Sequence, residues 1–200
     1  MTNFDLKTIH IDYCFSSPYE RCIQTSAKIL EGRSNCLINV EPGFLESGEK
    51  RPTYEKDREL ATRYPNINLR YKPLYLSPAE EEFDSSATVR ACFNRVKHTL
   101  KQLLKICEGD ILIVTHQAPC AAIQEYFMDL LRRSDELLYP AQATVSKDLT
   151  TRFESFSQYV EVPGVYSSNE PPRFSDEYLC DCSHLTDRIG LKGKYFFKKR

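Results

Sequence analysis

Asp110-Ile111-Leu112-Ile113-Val114-Thr115-His116 is the stretch whose reading decides the fold. It is apolar at consecutive positions rather than at every second one, the pattern of a parallel strand covered on both faces. Gly109 separates it from a long helical stripe over about 86–107, in which Val89, Cys92, Phe93, Val96, Leu100, Leu103, Leu104 and Cys107 recur at three- and four-residue spacing. A second helix opens near Gln117 and runs to about Arg132, through Ala121, Ala122, Phe127, Met128 and Leu131. Helix, buried strand and helix in succession are the unit of an α/β sheet.

Working outward, Thr8-Ile9-His10-Ile11-Asp12-Tyr13-Cys14-Phe15 is β-branched and aromatic and predicts another strand. Ser17, Pro18 and Glu20 follow as an N-cap, a first-turn proline and the acidic partner of a capping box, which predicts a helix from about Pro18 to Glu31. Cys36-Leu37-Ile38-Asn39-Val40 predicts a third strand, leading into the turn-rich Glu41-Pro42-Gly43-Phe44-Leu45-Glu46. Residues 47–85 are polar, contain prolines at 52, 65 and 73 and one helix near 54–63, and are expected as an insertion over the sheet. Beyond 133 the pattern is mixed. Tyr159-Val160-Glu161-Val162 reads as a strand, and 166–200 is a C-terminal segment without a clear place. Strands alternating with helices predict a three-layer α/β/α domain with a mostly parallel sheet, its ligands at the carboxyl ends of the strands.

The chain has 200 residues, enough for one domain with a core of its own. With 27 Lys+Arg against 28 Asp+Glu it lacks the strongly basic balance of a nucleic-acid binder, and no nucleic-acid partner is expected. No apolar run approaches the ~20 residues of a membrane span. The 8 cysteines are scattered and no secretory signal opens the chain, so they read as reduced, buried side chains of a cytoplasmic protein. Cys180-Asp181-Cys182-Ser183-His184 offers three metal-ligand types at cramped spacing. Structural zinc takes four ligands in separated pairs, so no metal site and no cofactor are expected.

Three polar side chains fall just past strand ends. Arg21 sits in the first turn of a helix, where free N–H groups and the dipole favour an anion, so it is a candidate phosphate clamp. His116 closes the 111–115 strand and opens the next helix, where an imidazole can donate to an oxyanion. Glu46 ends the loop after the second strand, where a carboxylate can act as general acid or base. Each alone is as well explained by an ordinary surface or structural role. Their coincidence at three strand ends of one sheet favours a site.

Ser17-Pro18-Tyr19-Glu20-Arg21-Cys22-Ile23-Gln24-Thr25 resembles the S-P-x-x-R-x-x-Q-T segment of the histidine phosphatase superfamily, with its phosphoglycerate mutase-like fold. Glu41-Pro42-Gly43-Phe44-Leu45-Glu46 is similar to that family's E-P-G-L-x-E loop, and the 111–116 run to its late strand ending in a second histidine. With Tyr71-Lys72-Pro73 and Arg90 between, the form is most similar to the phosphatase domains of the suppressor-of-T-cell-receptor-signalling group and their invertebrate relatives. The resemblance covers roughly 8 to 165 and implies metal-free hydrolysis of a phosphomonoester or phosphoprotein through a phosphohistidine. It implies Arg21 as a substrate-binding arginine, His116 as the second histidine and Glu46 as proton donor, and it leaves a homodimer open.

The family's R-H-G motif, which carries the nucleophile on the first strand, has no counterpart; no Arg-His pair occurs in the sequence. His10, His98 and His184 are poor substitutes by position. The sequence therefore predicts one histidine-phosphatase-like domain over 1–200, lacking its first strand and inactive alone. An N-terminally incomplete chain is favoured because Arg21, Glu46 and His116 all remain. A non-catalytic binder of phosphorylated small molecules or phosphoproteins is the alternative.

Overall fold

The computed structural model describes residues 10–48, 56–76, 88–138, 156–161 and 174–181. They fall in two units, one of Leu6–Ile123 and another that takes in the chain from Gln124 on.

In the first unit, β1 (Tyr13–Ser16), β2 (Ile38–Val40) and β3 (Ile111–Val114) form a parallel sheet in the order β2-β1-β3. The expected parallel α/β sheet is present, with shorter strands than their composition suggests. β1 was expected from residue 8; it begins at Tyr13 because its partner begins there. The N–H groups of Asp12 and Tyr13 both donate to the Asp110 carbonyl, at 2.9 and 3.0 Å, and the ladder to β3 starts above that point. A strand lasts as long as its pairing, whatever the propensity of the residues before it.

Helices cover both faces of the sheet. Cys14, Ile38 and Val40 pack with Ile23 of α1 (Glu20–Ile29), Leu30 at its C-cap and Leu60 of α2 (Asp57–Arg63). Phe15, alternating with Cys14 across the pleat, packs on the opposite side with Cys92, Val96 and Leu103 of α3 (Thr88–Ile106) and Ala122 of α4 (Gln117–Leu138). The stripe on α3 is as expected except at its start, where Val89 is exposed. The stretch expected as an insertion contributes Leu60 and Ile67 to the core, and Ile67 forms a parallel bridge to Ile38 at the outer edge of β2.

In the second unit, β4 (Phe156–Glu161) pairs with β5 (Phe174–Asp181) in an antiparallel ladder. β4 takes in most of the strand expected at 159–162, whereas β5 was not foreseen, its mixed Phe-Ser-Asp-Glu-Tyr-Leu pattern giving no clean period. α4 extends six residues beyond its expected end at 132, through the polar Arg133-Ser134-Asp135-Glu136. Cys182 and His184 of the cysteine–histidine cluster lie outside the described residues, as does the basic C-terminus.

The loop after β2 is built from inside. Pro42–Phe44 makes a single tight turn whose carbonyls are gathered by the buried Arg95 of α3: its Nη1 donates to Pro42, Gly43 and Leu45 at 3.3, 2.9 and 3.1 Å. Glu41 is fully buried, and its carboxylate accepts from the Gly43, Leu74 and Tyr75 N–H groups and the Tyr71 hydroxyl. Four donors replace the water that a buried carboxylate would otherwise need. The Tyr71 phenol is in turn pushed far above its ordinary range, by burial first and by Glu41 second. Gly43 lies so close to α3 that a Cβ would stand 2.3 Å from the Thr99 hydroxyl. Gly43→Ala is therefore expected to lower stability by about 2 kcal/mol through overpacking against Thr99, read as a reduced midpoint in urea unfolding.

Candidate phosphate-binding site

The site grows from the register of β1 on β3. Ser16 pairs with Val114, and the Ser17 N–H donates to the Val114 carbonyl at 3.0 Å, so residues 17 and 116 emerge side by side at the carboxyl end of the sheet. Ser17, predicted to cap α1, does not. α1 begins at Glu20 with Tyr19 at its N-cap and no side-chain cap bond, while the Ser17 hydroxyl turns inward to His116 Nε2 at 2.7 Å. Pro18 and Tyr19 carry the chain round the corner, so the serine lies a turn too early to reach the helix's free N–H groups.

Arg21 and His116 meet directly. Arg21 Nη2 donates to His116 Nδ1 at 2.9 Å, and its guanidinium carbon lies 4.4 Å from the centre of the Tyr19 ring. The same ring meets the imidazole edge-on at 5.2 Å. Cys22 lies beneath, its sulfur 3.6 Å from Nε2 and its thiol facing the Thr115 carbonyl at 3.7 Å. His116 is only 8% exposed. Burial first, and then the positive charges of Arg21 and Arg95, lower its pKa to about 4. Burial pushes the Cys22 thiol up to about 11, so it stays protonated at neutral pH.

Glu46 reaches the same corner through a different task. Its carboxylate accepts from the N–H groups of Gln117, Ala118 and its own neighbour Ser47, at 3.1, 3.2 and 2.9 Å. It therefore caps α4, a favourable place for an anion. The Thr115 hydroxyl, donating to the Phe44 carbonyl at 2.7 Å, ties the loop of Glu46 to the end of β3.

All three residues singled out in the sequence thus reach one end of the sheet, but in altered parts. An arginine can only donate, so Nδ1 of His116 is an acceptor, and Nε2 is engaged with Ser17. Neither ring nitrogen is left to donate to an oxyanion in this arrangement; the positive charge at the site is Arg21's. Ser17, Tyr19, Cys22 and Arg95 were not foreseen as site residues. Ser17 was accounted for by capping, and Cys22 as one of the scattered, buried cysteines. Arg95, 5% exposed on a helix face shared with the buried Thr99, left a faint signal: a charge falling beside Val96 and Leu103.

The histidine phosphatase superfamily (branch 1) matches this chain over residues 4–148. Among curated proteins, human ubiquitin-associated and SH3 domain-containing protein A is 32% identical over 123 residues, 54% of this chain and 18% of that one. The ecdysteroid-phosphate phosphatase of Drosophila melanogaster is 31% identical over 116 residues, 54% of this chain and 15% of that one. The chain therefore spans less than a fifth of the length of these relatives. In structure it is similar to the ecdysone phosphate phosphatase of Bombix mori, crystallised in complex with tungstate, with a TM-score of 0.52 at 18% identity over 82% of this chain and 68% of that one.

Two outcomes follow from the geometry. Glu46→Ala should remove the cap of α4 and cost about 1 kcal/mol, measured by chemical denaturation. His116 has a folded pKa of about 4 against an ordinary 6.5, so the unfolded chain takes up a proton first as pH falls. Its contribution to stability is whole above about 6.5 and declines as pH drops toward 4, by on the order of 3 kcal/mol, and His116→Gln should flatten that part of the stability–pH curve.

Proposed function

From the premise that the chain belongs to the histidine phosphatase superfamily, branch 1, we propose that it holds phosphorylated ligands, phosphomonoester or phosphoprotein, and does not hydrolyse them on its own. One observation carries the reading: the Arg21 guanidinium at the first turn of α1, hydrogen-bonded to a neutral, buried His116. A guanidinium has five N–H donors, of which one goes to His116, leaving four for phosphoryl oxygens. The tungstate held by the silkworm protein is itself a tetrahedral oxyanion, which supports this choice of ligand.

Among the described residues, no imidazole or thiolate at the site is free to accept a phosphoryl group. Phosphoryl transfer through a phosphohistidine needs an imidazole nitrogen with a free lone pair. His116 has one nitrogen accepting from Arg21 and the other engaged with Ser17. His10 is exposed before the start of β1, at the opposite end of the sheet, and pairs with Asp12 at 2.8 Å. His98 is exposed on α3, and His184 lies outside the described residues. The Cys22 thiol, raised to about 11, is no thiolate. Glu46 would serve as proton donor only beside a nucleophile; in the binding reading it caps α4. Cys14, Cys22, Cys36, Cys92, Cys107 and Cys120 are free thiols, which supports a reducing compartment such as the cytoplasm.

The purified chain should show no hydrolysis of p-nitrophenyl phosphate above buffer, and saturable binding of inorganic phosphate by calorimetry. Arg21→Ala should weaken that binding at least about tenfold. Turnover abolished by His116→Ala would overturn the proposal, as would a chain to which phosphate does not bind.

A further inference from the structure

We infer that Ser17 is a positioning residue: its hydroxyl oxygen holds His116 as the neutral tautomer protonated on Nε2, so that Nδ1 remains an acceptor that fixes the Arg21 guanidinium. The inference rests on the phosphate-holding reading and assigns the residue that prepares it.

The directions of the bonds are forced one by one. Arg21 donates to Nδ1, so a proton on Nδ1 would set two donors head-on. That excludes both the other neutral tautomer and the imidazolium. The single ring proton is then on Nε2, and at 2.7 Å Ser17 Oγ must accept it. The Cys22 sulfur lies 3.6 Å from the same Nε2, on the inner side of the ring. The Cys22 thiol closes the series on the Thr115 carbonyl. The Arg21 Nη2–H facing the ring, the Nε2–H and the Cys22 thiol thus each have an acceptor, in a place where Ser17, Cys22 and His116 are all buried.

A second observation is independent of these directions. Ser17, two residues before the N-cap Tyr19, makes no side-chain bond to α1 and faces the imidazole instead. With alanine at 17, the buried Nε2–H keeps only the Cys22 sulfur at 3.6 Å, and the preference for a proton on Nε2 is weakened. A proton on Nδ1 would then face the Arg21 donors and expel Arg21 from its place.

The test is nitrogen NMR of the histidine ring in the full chain at neutral pH, beside inorganic phosphate titration. Wild type should show a pyridine-like Nδ1 and a pyrrole-like Nε2 for His116. Ser17→Ala should bring the two signals together and raise the phosphate dissociation constant about tenfold, and Ser17→Thr, which keeps the hydroxyl, should restore both. A wild-type signal from Nδ1–H or imidazolium overturns the inference even if Ser17→Ala does not fold. So does Ser17→Ala with unmoved ring signals. If wild type binds no phosphate the proposed function fails, while the ring signals still decide the role of Ser17.

Discussion

Everything at the site depends on one pairing, the parallel register of β1 on β3. The two strands are nearly a hundred residues apart in the chain, and their ends are level. Because Ser16 pairs with Val114, the next residues on each side leave the sheet together, and a serine, an arginine and a histidine converge without help from any distant loop. A slip of one residue would turn Phe15 from the α3 side toward α1, so the apolar packing on both faces holds the polar corner in register.

The electrostatics above the sheet obey the same economy. Arg95 is buried but spends its hydrogen bonds on three carbonyls of one turn, and Glu41 is buried but accepts from four donors. The guanidinium gathers the carbonyls of the loop, the carboxylate gathers its N–H groups and those of 74 and 75, and the loop is stiffened between them. That stiff loop delivers Glu46 to the first turn of α4. Arg95 also adds positive potential near His116, helping to keep the imidazole neutral.

The fold was largely legible because its signals are local. Three strands, four helices and their order follow from apolar periodicity and from the glycines at 32 and 109. At Gly109, φ of 131° and the Asp12 carboxylate, 2.3 Å from where a Cβ would stand, require the residue that stops the helix. The three polar residues at strand ends could be named because parallel sheets put their sites there. The hydrogen-bond partners around them were not legible. Ser17 has the sequence of a cap and the geometry of an imidazole partner, and the difference lies in the bend at Pro18 and Tyr19. Glu46 has the sequence of an acid in a loop and the position of a helix cap, which only the closeness of Thr115 to Phe44 discloses. Strand lengths failed for the same reason: Asp110, far along the chain, decides where β1 begins.

The hydrogen-bond series from Arg21 to Thr115 also has a polarity, and polarity governs conduction. A proton crosses such a wire only when each link can pass one on and then reorient behind it. Here the entry is a guanidinium that does not deprotonate, and the exit is a backbone carbonyl that cannot pass a proton further. The wire is blocked at both ends. The corner of the sheet therefore acts as an insulated, fixed dipole, with the exposed Arg21 guanidinium at its positive end.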